Sequence, residues 1–210
     1  MLLTLDCHER YHRPVVQRTP VPRAVAAART RDALTDAALE LFARDGFDTT
    51  TAEAISGRAG LSPRTFFRYF PTKESVVFHR DYWFMRSFAS AYLEQPRTLS
   101  DYAALHATYV EQARGFDALR IRIETYRAAV DSSAVLVGRE QEHLRDHATT
   151  VSEAVARRRG AGVDDGDRTL ADVTLALYHR ALRRWLDGPR SLDLAALIDE
   201  EFTRMRRLVR

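Results

Sequence analysis

Residues 50–73 read TTAEAISGRAGLSPRTFFRYFPTK, and almost every position in that run has an assignable local role. Thr50 precedes Glu53 by three, the spacing of a capping box that opens a helix running to about Ala59. Gly60 ends it. Ser62 followed by Pro63 is an N-cap with proline at the first helical position, so a second short helix runs through about Phe70. Pro71 stops that helix. Two short helices joined by Gly60–Leu61–Ser62 make a helix-turn-helix. The second helix is two-faced at about 100° per residue. With Arg64 set at 0°, Arg68 falls near ~40° and Thr65 near ~100°, whereas Phe66 and Phe70 fall at about 200° and 240°. One face anchors in a core, and the other presents two guanidinium groups and a hydroxyl. Arginine suits such a face because its planar fork binds guanine O6 and N7 together, or a phosphate. The run holds four basic side chains and one acid, a local net charge of +3 and the footprint of a phosphate-facing surface.

Upstream, Leu34, Ala37, Ala38, Leu41 and Phe42 repeat as one apolar helical stripe from a helix that starts near Arg23 and is capped by Gly46. Residues 1–22 hold three prolines and no sustained period, and read as a loose basic arm. Such an arm either enters a minor groove, is disordered, or is an upstream extension from a misassigned start. Downstream, Thr72 caps a helix over about Lys73–Glu94 that is apolar over a broad arc. Ser100–Arg114, Asp117–Val130, Ser133–Arg159, Asp167–Asp187 and Asp193–Val209 follow as further helices, with 160–166 the clearest loop. The fold class is all-α, about nine helices without a strand. It divides into the arm at 1–22, a helix-turn-helix domain at 23–71 and a larger helical domain at 72–210.

Composition narrows the function. The 210 residues are 45% hydrophobic and 29% charged, with only 9 Gly and 7 Pro, an ordinary globular mixture without the turns of a sandwich or propeller. No run is long enough to span a membrane, and MLLTL lacks the basic start of a signal peptide, so the expected compartment is the cytoplasm. Cys7 is the single cysteine, which excludes an intrachain disulfide and a multi-cysteine zinc site. Residues 1–80 hold 12 basic and nine acidic side chains, and the other 130 hold 20 of each, so all of the net +3 sits at the N-terminal end. That asymmetry points to an anionic partner. No Gly-rich phosphate loop, HExxH or GxSxG occurs. His143 and His147 at i, i+4, with Glu140 before them, have metal-ligand spacing, but the further carboxylate helices of a di-iron bundle are missing. We expect no catalytic residue, no metal and no cofactor.

Residues 29–78 resemble the TetR family of bacterial one-component regulators. The family pattern is matched by Thr50–Thr51, Ile55, Ala59–Gly60–Leu61–Ser62, Phe66–Phe67, Tyr69–Phe70 and Lys73. Ser56 and Gly57 depart from it where alanine and a helix former are usual, and Phe67 often aligns with a tyrosine. The expected DNA-facing set is Thr51, Ser62, Arg64, Thr65, Phe67, Arg68, Tyr69 and Lys73. Thr50 is read as the cap and Thr51 as free to face phosphate. Tyr69 is either a phosphate donor or a flank of the core, Lys73 a phosphate contact, and Phe67 an apolar one.

The resemblance implies ligand-responsive binding to double-stranded operator DNA, most simply repression. A small molecule in the second domain would move the fourth helix and change the separation of two recognition helices. The expected pocket is mainly apolar, takes a hydrophobic or amphipathic molecule, and is lined by Trp83, Phe84, Phe88, Tyr92, Tyr109, Tyr126 and His143. Stripes on the last two helices predict a homodimer through Leu177, Trp185, Leu194, Leu197, Ile198 and Phe202, against which Glu201 within the stripe counts unless it pairs with an arginine across the interface. The competing reading is a helical ligand-binding or interaction protein without DNA activity.

Overall fold

The chain is described by a computed structural model covering residues 23–78 and 81–208, and for residues 81–86 the backbone alone. The N-terminal arm and its expected role lie outside the described residues. These hold nine α-helices and no strand. The helices are α1 Arg23–Asp45, α2 Ala52–Arg58, α3 Pro63–Tyr69, α4 Asp81–Glu94, α5 Asp101–Ala113, α6 Arg120–Asp131, α7 Ala134–Arg159, α8 Asp165–Asp187 and α9 Leu194–Leu208. Short 3₁₀ turns occupy Glu74–Val76 and Asp117–Leu119.

Most boundaries follow the caps. Ser100 and Ser133 accept from the backbone N–H groups of Ala103 and Val135 and open α5 and α7. Gly160 ends α7 at φ +73°, a left-handed conformation that a side chain would strain. Asp164 and Asp167 form a reciprocal capping box, so α8 begins two residues before its expected start at Asp167. The fourth helix differs more. It does not run from Lys73. Thr72 and Ser75 bond to each other and hold the 3₁₀ turn, and Val76, Val77 and Phe78 plug a core as three consecutive buried side chains.

Two apolar cores result. The first joins Leu34, Ala37, Ala38, Leu41 and Phe42 of α1 to Phe47, Ile55, Phe66, Phe70 and the Val76–Phe78 plug, and it is closed by Ala129, Val130 and Leu136. The second gathers Phe88, Tyr92, Leu105, Tyr109, Val155, Tyr178, Trp185, Leu194, Ile198 and Phe202 from α4, α5, α7, α8 and α9. The end of α6 and the start of α7 therefore belong to the core of the helix-turn-helix.

On the last two helices the residues of the expected dimer face pack within the protomer. Trp185, Leu194, Leu197, Ile198 and Phe202 are buried inside the protomer, and Leu177 is half-buried against the same core. The arc on α8 is broad because α5, α7 and α9 of the same chain all pack on it. Glu201 is buried and pairs within the chain, with Arg184 at 2.6 Å and Arg180 at 3.1 Å.

Candidate nucleic-acid interface

The helix-turn-helix is built by local bonds. Thr51, not Thr50, caps α2, accepting from the Ala54 N–H, while Thr50 is buried and donates to the Gly46 carbonyl at 2.8 Å. The cap thus falls one residue later than the Thr50–Glu53 spacing predicts. Gly60 takes φ +69° in the turn, and the Leu61 N–H donates to the Ser56 carbonyl at 2.8 Å. Ser62 caps α3 by accepting from the Thr65 N–H, and Pro63 fills its first position. A Cβ on Gly57 would meet nothing, so glycine there costs only helix propensity.

This scaffold fixes α3 by its buried side. Phe66 and Phe70 are fully buried with rings 5.6 Å apart. Ser62, Arg64, Phe67 and Arg68 are exposed and Thr65 and Tyr69 half-buried, and Phe67 leaves 53% of its surface open. The two faces are those the helical geometry predicts.

Charge is sorted around this face. Arg58 and Arg44, behind it, are matched by Glu40 at 2.7 Å and Asp45 at 2.6 Å. Among the described residues Arg31, Arg64 and Arg68 have no carboxylate partner. Lys73 is turned inward, where its ammonium donates to the Phe47 carbonyl at 2.6 Å and the Thr50 carbonyl at 3.0 Å, and lies 3.9 Å from the centre of the Phe47 ring. It braces the loop between α1 and α2. The expected reading of Lys73 as a phosphate contact becomes one of a positioning group.

Of the expected pocket residues, five have described side chains. Trp83 and Phe84 have side chains outside the described set. Phe88, Tyr92 and Tyr109 are core: Phe88 and Tyr109 rings lie 4.4 Å apart, and the Tyr92 hydroxyl donates to Asp101 at 2.7 Å. Burial and the Asp101 carboxylate push the Tyr92 phenol up, and burial does the same to Tyr109. Tyr126 packs against the first core, and His143 is stacked on Phe78 of that core at 4.4 Å. A cleft of about 580 Å³ opens instead between α7 and α8, floored by Leu144, Ala148 and Leu175 and rimmed by Arg145, Glu153, Asp172 and His179.

Burial holds His179 and neighbouring His147 at a pKa of about 4, aided by repulsion between them and from His143, Arg127 and Arg183, and opposed at His147 by Asp146. An unfolded histidine titrates near ~6.5. Each folded value lies below the unfolded one, so the unfolded state binds more protons as pH falls. Their contribution is complete above about pH 6.5 and is lost progressively toward about 4. The melting temperature should fall from pH 6.5 downward, before the carboxylates titrate. The His147→Gln/His179→Gln variant should fall less steeply when followed by circular dichroism.

Three interdomain contacts were invisible in the sequence because their partners lie far apart in the chain. The Phe47 N–H donates to Ser132 Oγ at 3.2 Å, Thr35 donates to the Val76 carbonyl at 3.3 Å, and Arg122 of α6 pairs with Asp36 of α1. The first residue of α6, Arg120, is buried and donates to the Trp185 and Gly188 carbonyls.

Residues 34–79 match the family model described as bacterial regulatory proteins, tetR family, and residues 102–210 match that of the MftR C-terminal domain. Over 49 residues the chain is 52% identical to the HTH-type transcriptional regulator TcmR of Streptomyces glaucescens, an alignment spanning 23% of this chain and 22% of that protein. NalD, the secondary repressor of the MexAB-OprM efflux pump in Pseudomonas aeruginosa, superposes with a TM-score of 0.59 at 18% identity, over 86% of this chain and 96% of its own. Thermus thermophilus FadR in complex with lauroyl-CoA superposes with a TM-score of 0.52 at 21% identity, over 84% and 93%. At these identities the likeness to the two structures is one of fold.

Proposed function

Because the chain belongs to the tetR family of bacterial regulatory proteins, we propose that it binds a specific operator through α3 as a homodimer and represses transcription until a small molecule releases it. The observation that carries the DNA reading is the exposed, unneutralised pair Arg64 and Arg68, opposite the buried Phe66 and Phe70. Thr51, Ser62, Thr65 and Phe67 border that pair, Phe67 offering apolar surface to a thymine methyl. A twofold dimer would set two α3 helices on half-sites about 34–36 Å apart. Ala176, exposed on α8, and Leu177, half-buried beside it, are apolar groups available to such an interface.

The effector we infer is a hydrophobic or amphipathic organic molecule. Supporting this are the size of the α7–α8 cleft, within the usual range of roughly 300–1,000 Å³ for ligand sites, and its apolar floor under a charged rim. The lauroyl-CoA bound by the Thermus protein is of that class. Coupling to DNA would run through α6, tied by Arg120 to the turn after α8 and by Arg122 and Ser132 to the helix-turn-helix. No helix among the described residues is long and apolar enough to cross a membrane.

The test is selection of binding sites from random duplexes by the full chain, with enrichment of a twofold-symmetric sequence as the expected result. On the selected duplex, Arg64→Ala and Arg68→Ala should each weaken binding by roughly 1–3 kcal/mol and relax base preference at one position per half-site. Enrichment of no sequence would sink the proposal.

A further inference from the structure

Tyr69, the last residue of α3, carries more charge around its ring than a core-flanking tyrosine requires. The guanidinium carbon of Arg68 lies 5.0 Å from the ring centre, and that of Arg31, from α1, lies 5.1 Å from the same point. The two guanidinium groups are therefore within about 10 Å of each other. That separation is about one Debye length at 0.1 M salt, so their repulsion is only partly screened. Neither has a carboxylate partner among the described residues, although Arg44 and Arg58 of the same domain do.

The position of Arg31 follows from the helix it occupies. It lies three residues before Leu34, so it continues the apolar stripe of α1 past the end of the core, and there its guanidinium lies over the ring of Tyr69. A cation–π contact orders a guanidinium without using its N–H groups, which stay available to another partner. Two such groups beside one ring, without a carboxylate partner among the described residues, are placed to meet a polyanion from outside. The exposed face of α3 beside them points to DNA, whose phosphates and base edges both offer acceptors to a guanidinium.

We infer that Arg31 is a phosphate-binding residue of the DNA interface lying outside the helix-turn-helix, and that the Tyr69 ring is the platform that aligns Arg31 and Arg68. This rests on the reading of α3 as the recognition helix. It assigns Tyr69 a role through its ring rather than its hydroxyl. It also divides the labour of the two arginines: Arg31 contributes affinity for any sequence, and Arg68 contributes discrimination between bases.

The experiment is fluorescence anisotropy with two duplexes, the one selected by the full chain and one of random sequence, at several salt concentrations. Arg31→Ala should lose about tenfold on both duplexes and lower the salt slope by about 0.9 per protomer, with base preference unchanged. Tyr69→Phe, which keeps the ring, should bind like the unaltered chain. Tyr69→Leu should lose affinity on both duplexes and also relax base preference at the position read by Arg68. An unchanged salt slope for Arg31→Ala on a duplex that the unaltered chain selects would overturn this assignment and leave the DNA reading intact. Loss of affinity in Tyr69→Phe equal to that in Tyr69→Leu would overturn the platform, since the hydroxyl would then carry the contact. Should Tyr69→Leu fail to fold, Arg31→Ala and Tyr69→Phe decide the matter by themselves. A chain that selects no duplex at all overturns both the DNA reading and this assignment.

Discussion

Lys73→Met is expected to lower the stability of the chain by about 2–4 kcal/mol without changing the salt slope of DNA binding. The ammonium ties the carbonyls of Phe47 and Thr50, 2.6 and 3.0 Å away, to the start of the 3₁₀ turn. Methionine fills the stem and leaves both acceptors without their donor, at a cost of about 1–3 kcal/mol for each that stays dry. The charge over the Phe47 ring adds roughly 0.5–1 kcal/mol. The same loop bears the Thr51 cap and the Phe47–Ser132 bond, so its loosening should reach α2 and α6 together. Urea denaturation gives the stability, and binding titrations at several salt concentrations give the slope. A variant of unaltered stability whose salt slope falls by one would return Lys73 to the phosphate backbone.

The second large effect is expected in the other domain. Arg158 is 7% exposed, yet its guanidinium donates to the carbonyls of Pro96 and Leu99 and to the Asp101 carboxylate at 2.6, 3.1 and 2.8 Å. It also lies 5.5 Å from the Tyr92 ring centre, whose hydroxyl shares Asp101. One fork thus closes the loop between α4 and α5 onto the end of α7. Arg158→Met should cost about 3–5 kcal/mol, because a half-buried carboxylate and two carbonyls lose their donor at once. Arg158→Lys should recover only part of this, since a point charge cannot reproduce the planar fork. Denaturant unfolding measures both. Equal stability of Arg158→Met and the unaltered chain would show the network to be dispensable.

The sequence was most informative where structure is local. The Ser62–Pro63 start, the Gly60 turn, the two faces of α3 and the caps at Ser100 and Ser133 each depend on residues within four positions, and all are present. The cap of α2 slipped by one because consecutive threonines offer equivalent hydroxyls, and only the bond from the Ala54 N–H chooses Thr51. Long-range features were less legible. Apolar stripes on α8 and α9 show that those faces are buried but not by what, and the answer is the same chain. The aromatic residues of α4 and α5 carry the same ambiguity, which Phe88, Tyr92 and Tyr109 resolve as core. Lys73 and Arg31 illustrate it for charge. One positive side chain near the recognition helix turns inward to backbone carbonyls, and the other, 38 positions before Tyr69, stacks beside it.

The account stands most directly on the ratio of affinities for the selected duplex and a random one, measured for the unaltered chain and for the Arg64→Ala/Arg68→Ala double variant at one salt concentration. The unaltered chain should prefer its selected duplex by on the order of 10³-fold or more. The double variant should bind both duplexes with nearly equal, weak affinity, since the backbone contacts survive while the base contacts are gone. A double variant that keeps the full preference would contradict the account and place recognition on another surface of the chain.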